Sequence, residues 1–184
     1  MKVHLGLVLL LALQLLVAGC AENRRRAGTG DVAFRLTWDG LSDLDLFVQD
    51  PSCDCISYIS PGSPAGGILD VDCNGGTDLM CDLPIENVYW PVSTAPNGEY
   101  WFWVSAHAVI PGGEPVAFQI QVLRGKEVAW LRKGSLQKSE EVYGPFIYSF
   151  PTGKITGPLT GPAALPQCGI MRFMPPNLED PGPE

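Results

Sequence analysis

Histidine is scarce in this chain: His4 and His107 are the only two in 184 residues. Zinc centres and acid–base relays usually draw on several. No G-x-S-x-G nucleophile elbow, H-E-x-x-H signature or phosphate-cradling G-x-x-x-x-G-K-[ST] loop occurs. Positive charge is short as well, with 12 basic residues against 20 acidic and a formal net charge of -8. A general nucleic-acid binder needs a basic surface, so nucleic acid is excluded as a partner. Sustained heptads are missing, which excludes a coiled coil. Glycine, although abundant, has no three-residue period, which excludes collagen. At 46% the hydrophobic fraction is too high for a wholly disordered chain.

What is present begins with an address. Lys2 is a short positive segment, and Leu5 to Ala18 is apolar apart from Gln14. Fourteen residues fall short of the roughly 20 that span a bilayer, and fit the apolar part of a secretory signal. The stretch ends Val17-Ala18-Gly19-Cys20, which resembles the lipobox of bacterial lipoproteins. That resemblance implies a signal peptide over residues 1–19, with a lipid on Cys20. Ala21 follows the cysteine, and in similar lipoproteins this does not retain the chain in an inner membrane. The expected location is the cell envelope, with an outer membrane favoured. Residues 20–30 then read as a lipidated tether, in which Arg24, Arg25 and Arg26 either meet anionic headgroups or simply keep the linker soluble.

An exported chain reaches a disulfide-permissive compartment. Beyond Cys20 there are Cys53, Cys55, Cys73, Cys81 and Cys168, an odd number. Cys73 and Cys81 flank a Gly-rich acidic loop and are expected to pair. Cys53 and Cys55 are too close to pair without strain, so one of them is expected to meet Cys168 and pin the C-terminal tail. The Cys53-Asp54-Cys55 spacing does not suit zinc.

Between residues 31 and 150 the periodicity is two. Val32, Phe34, Leu36 and Trp38 alternate with Ala33, Arg35 and Thr37. Similar runs cover 43–48, 100–106 and 116–122, with shorter candidates at 56–59, 67–71, 86–90, 127–131 and 141–150. The expectation is an all-β domain over 31–150: one antiparallel β-sandwich, jelly-roll-like, with about eight or nine strands. Residues 151–184 carry eight Pro and five Gly and read as an extended tail.

Acidic residues crowd the first half. Between residues 31 and 90 there are eleven, and the only base is Arg35. Asp43 and Asp45 share one face of a strand, and Asp70 and Asp72 repeat the arrangement. Such pairs need solvent, hydrogen-bond donors or a cation. The segment 72–78 adds oxygen donors of the kind calcium takes, although it is no EF-hand. The plain alternative is that these Asp residues cap turns.

Several blocks resemble the YfaP-like bacterial domain family. They are Phe34-Arg35-Leu36-Thr37-Trp38-Asp39, Ser42-Asp43-Leu44-Asp45-Leu46 running to Asp50-Pro51, and Gly66-Gly67 with Asp70-Val71-Asp72. Ile85-Glu86-Asn87-Val88-Tyr89-Trp90 and Ala95-Pro96-Asn97-Gly98-Glu99-Tyr100 complete the set. The likeness covers residues 31–106 and fades by about 123. It implies an exported β-sandwich. It also resembles pre-peptidase C-terminal β-domains, whose Asp-x-Asp site can hold calcium. By that likeness Asp43, Asp45, Asp70, Asp72 and Glu86 are the candidate calcium ligands. The cysteines depart from the family pattern and are candidates to replace metal as the loop staple.

Trp101 and Trp103 share one strand face, and Tyr100 and Phe102 the other. One face must be core, and an uncovered Trp pair would suit a sugar or an apolar partner segment. The reading as a whole is a non-catalytic envelope lipoprotein whose sandwich binds or assembles, with a possible calcium site. It would be attached to the membrane through its lipid, with an envelope protein or glycan as partner. A hydrolase using the acidic cluster and a structural accessory subunit are the competing classes.

Overall fold

A computed structural model describes residues 27–76, 80–110, 113–159 and 165–166. The signal segment 1–19, Cys20, Asp78 and Cys168 lie outside the described residues. Ten strands follow in chain order: β1 (Val32–Trp38), β2 (Asp43–Gln49), β3 (Cys55–Ile56), β4 (Ile68–Val71), β5 (Ile85–Trp90), β6 (Gly98–Ala108), β7 (Val116–Arg124), β8 (Glu127–Leu136), β9 (Val142–Phe150) and β10 (Lys154–Thr156). They form two antiparallel five-stranded sheets, ordered β4-β5-β1-β7-β8 and β10-β9-β6-β2-β3. The expected all-β sandwich is the observed one.

Alternation dictates the core. Val32, Phe34, Leu36 and Trp38 of β1 face Leu44, Leu46 and Val48 of β2 and Tyr100, Phe102 and Val104 of β6. Phe34 sits at the centre, with the rings of Trp90, Tyr100, Phe102 and Tyr148 around it at centroid distances of 4.9–6.2 Å. Since β1→β2 and β5→β6 cross between the sheets, the turn at 39–42 and the loop 91–97 each close one end of the sandwich.

Three elements differ from expectation, the first being β3, which covers only Cys55–Ile56 in place of the expected 56–59. Strand β8 runs on to Leu136, past the expected 131. Its second half, Arg132-Lys133-Gly134-Ser135, carries no apolar alternation because it is a sheet edge. Charged side chains there discourage pairing with another chain. Gly134 is required because a Cβ would come within 2.5 Å of the Phe118 ring. Strand β10 lies inside the segment expected to be tail and pairs with β9 through Lys154, Ile155 and Thr156. Three residues are too few to show a period.

Candidate functional site

Of the five carboxylates expected to share a cation, Asp70 stands apart, while Glu86 lies within reach of the charges of Asp45 and Asp72. Asp70 faces out from β4 at the edge of the first sheet. Its Oδ2 accepts the Gly28 backbone N–H at 2.6 Å, and its Oδ1 accepts the Asn87 side-chain amide at 2.8 Å. Asn87 also donates to the Gly28 carbonyl at 3.1 Å, and Arg35 donates to both the Asn87 Oδ1 and that carbonyl. Burial lowers the Arg35 pKa and the Asp70 charge works against that, so the guanidinium sits in a partly dry site with a counter-charge. Together these groups lash residues 28–30 onto the outer face of β1, β5 and β4. Glycine is needed at both ends of the lashing. A Cβ at Gly28 would strike the Tyr89 ring at 2.5 Å, and one at Gly30 would strike the Trp90 carbonyl at 1.9 Å.

Glu86 points the other way. It shares parity with Val88 and Trp90, so its side chain enters the sandwich, where only 1% of the residue is exposed. Its Oε2 accepts the Leu46 N–H, a hydrogen bond from the second sheet to a side chain of the first. Burial, the Asp45 charge and then Asp72, by charge and hydrogen bond, push the Glu86 pKa well above the ordinary carboxylate value; the Leu46 N–H opposes them. The Leu46 hydrogen bond makes Glu86 a tie between the two sheets. Asp43 and Asp45 lie on the opposite face of β2 from Leu44 and Leu46, and both are buried. Among the described residues no three His, Cys, Asp or Glu side chains are grouped so as to hold a metal ion. Asp70 is committed to Gly28 and Asn87, apart from Glu86 and the two carboxylates that act on it, Asp45 and Asp72.

The loop beyond β4 is stapled as expected by a Cys73–Cys81 disulfide, with Cα atoms 5.8 Å apart. Asn74, one of the oxygen donors expected there, is instead a clamp. Its amide donates to the Gly40 and Ser42 carbonyls, and its Oδ1 accepts the Cys81 N–H. It is buried at φ 67°, a left-handed conformation that Asn tolerates. The Trp38 indole donates to the same Ser42 carbonyl at 2.7 Å, so the β1–β2 turn is held from two sides. Cys55 is also disulfide-bonded, and Cys53 is a free, exposed thiol.

Asp31 and Asp50 are cappers. The Asp50 Oδ1 accepts the N–H groups of Ser52 and Asp54, which shapes the loop into β3. Pro51 of that loop packs against Gly98, whose φ of 144° and 2.7 Å clearance leave no room for a Cβ. Asp31 accepts the N–H groups of Thr94 and Ala95. Desolvation alone would raise its pKa, but the backbone donors at Ser93, Ala95 and Thr94 together lower it. The Tyr100 hydroxyl donates to the Pro96 carbonyl at 2.7 Å; burial, then the Asp50 and Asp31 charges, raise its pKa.

Trp101 and Trp103 do share the outer face of β6. Trp103 is fully buried and stacked on Phe47, with centroids 5.2 Å apart and planes 6° apart. The Tyr58 ring meets Phe47 edge-on, and His107 is exposed beside Tyr58. Trp101 is half-buried, so a flat ligand reaching this face would meet it and not Trp103. An open hollow of about 380 Å³ lies at the end of the sandwich, lined by Asp39, Leu41, Ile110, Glu114 and Val116 among others. Sequence reasoning gave Asn87 no role, although it sits between three partners, Arg35, Asp70 and the Gly28 carbonyl. Its one signal was an amide on the outer parity of a strand.

Set against family models, curated proteins and solved structures, the chain matches none of them. Its function has to be read from its own residues.

Proposed function

We infer that this chain is an exported bacterial lipoprotein, lipidated on Cys20, whose sandwich is a non-catalytic module for binding or assembly in the cell envelope. One observation carries the module reading. The acidic residues, where hydrolase chemistry would have to sit, are engaged in holding the scaffold. Asp70 lashes residues 28–30, Asp31 and Asp50 cap loops, and Glu86 ties one sheet to the other. The Cys73–Cys81 disulfide suits an oxidising compartment.

The lashing also fixes how such a lipoprotein would stand on its membrane. Six residues lie between Cys20 and Ala27, and the seven chain steps span about 23 Å at about 3.3 Å each when extended. The first sheet, at its β4–β5–β1 side, would stay that close to the headgroups, and Arg24 to Arg26 would lie in the gap. The loops available to a partner are then those on the far side.

A raised Glu86 beside Asp72 and Asp45 is the observation that favours a hydrolase, since acid–base pairs are built from carboxylates held at different pKa values. At 1% exposure Glu86 cannot meet a substrate without the sandwich opening. Fractionation of cells expressing the full chain and Cys20→Ala tests the reading. The wild type is expected in the membrane fraction, and the variant outside it with the same melting temperature. Equal distribution of the two would remove the lipid anchor. Hydrolysis of an envelope glycan, lost in Glu86→Gln without loss of folding, would replace the module by an enzyme.

A further inference from the structure

We propose that the end of the sandwich opposite the tether docks an apolar protein segment flanked by Lys or Arg, seated in the hollow that Leu41 and Ile110 line. The proposal rests on the module reading above and names the surface and the partner chemistry of that module.

Strand directions sort the loops into two ends. Val32 pairs with Trp90, and the Asp31 N–H donates to the Trp90 carbonyl, so residues 28–31 join the body where β1 starts. From there β1 runs about 20 Å to Trp38. At that far end the turn 39–42 meets the connections from β4 to β5, β6 to β7 and β8 to β9. With a lipid on Cys20, this end faces away from the membrane.

Exposed apolar side chains collect there. Leu41 is 63% exposed and Ile110 49%, and Met80 and Leu83 are exposed on the loop into β5. Single apolar residues on a surface are ordinary. These stand on loops that hydrogen-bond to one another, and two of them line a hollow of about 380 Å³ with Pro115 and the buried Val116. Their exposure is not looseness. The turn that carries Leu41 is held by the Trp38 indole and the Asn74 amide on the Ser42 carbonyl, and by Asn74 again on the Gly40 carbonyl. Across from it, the Ile110 N–H donates to the Ser42 hydroxyl and the Val109 N–H to the Ser139 hydroxyl. Both walls are fixed before a partner arrives, which lowers the ordering cost of binding.

Charge indicates the partner. Asp39 and Glu114 stand exposed in the lining. Among the described residues of these four loops Lys138 is the only base, while Asp82, Glu140 and Glu141 are further exposed acids. An apolar floor inside an acidic rim fits an apolar segment with basic flanks: burial supplies affinity, and opposite charge sets register and speeds encounter. The lining has no aromatic ring for a sugar to stack on. The same end of a second copy would bring acid against acid.

Binding of short labelled peptides to the full detergent-extracted chain tests this. The peptides share one Leu/Ile/Val core and differ only in Lys, Ser or Glu flanks. The Glu-flanked peptide, which meets the same detergent, is the reference. The Lys-flanked peptide is expected to bind at least about tenfold tighter than the reference, and less tightly as salt rises. Leu41→Ser and Ile110→Ser are expected to abolish binding with the melting temperature unchanged. Asp39→Asn with Glu114→Gln is expected to remove the preference for Lys flanks, and Val92→Ser, on an exposed loop at the tethered end, to change nothing. Equal affinity for all flanks, no binding of the Lys-flanked peptide, or binding indifferent to Leu41→Ser and Ile110→Ser would overturn the site. So would self-association lost in Leu41→Ser, which would make a second copy the occupant. Binding lost in Trp101→Ala instead would overturn the site and leave the module reading standing. Hydrolysis of an envelope glycan with no peptide bound would overturn both.

Discussion

Glu86 is the residue on which the two sheets lean, and its chemistry gives a signed prediction. Burial, the Asp45 charge and Asp72 raise its folded pKa above the ordinary 4.5. A raised carboxyl contributes stability that is full below the unfolded pKa and is lost as pH rises through the folded pKa. The melting temperature is therefore expected to fall from pH 5 to pH 8. Glu86→Gln keeps an acceptor for the Leu46 N–H and a donor toward Asp72 with no proton to lose. Thermal melts across that range should show a flatter slope and a variant at least as stable as wild type at pH 8. An unchanged slope would place the titrating group elsewhere. Asn87 makes the companion case on the outer face of the first sheet. It is fully buried and bonded to Arg35, Asp70 and the Gly28 carbonyl. Asn87→Ala strands several polar groups at once and is expected to cost about 2–3 kcal/mol in urea unfolding.

At the scale of elements, the 73–81 loop is held by covalent and hydrogen bonds. Closing a loop of eight residues removes unfolded-state entropy worth about 2.5 kcal/mol at 25 °C. Cys73→Ser with Cys81→Ser should lower unfolding free energy by about that amount, read by denaturant titration. With Asp70 engaged by Gly28 and Asn87 and no three-ligand group among the described residues, millimolar calcium is expected to leave the melting temperature unchanged. A saturable rise abolished by Asp72→Asn would contradict this. These elements also separate what the sequence revealed from what it hid. Strands with one face in the core, such as Val32–Trp38, announced themselves by period two. The Cys73–Cys81 pair was legible from its Gly-rich loop. Strands β8 and β10 hid their limits, because an edge strand with polar faces carries no alternation. In the acidic cluster, parity puts Asp43 and Asp45 on one face but gives no way to see that Asp70 turns outward while Glu86 turns inward. That division depends on which sheet each strand joins. Nor does composition show that Asn74 and Asn87, neutral and unremarkable in a count, organise the loops around those acids.

At the scale of the whole molecule, the N-terminal side of the described chain is tied to the body of the sandwich. Residues 28–30 are lashed to the first sheet. As the lipoprotein proposed above, the chain would hold its sandwich within about 23 Å of the membrane. The central claim is the lipid on Cys20, and intact-mass and tandem mass spectrometry of the N-terminal peptide from the membrane-extracted protein tests it most directly. The account predicts a mature chain that starts at Cys20, its sulfur carrying a diacylglyceryl group. A chain that retains residues 1–19, or one with an unmodified Cys20 thiol, would contradict it.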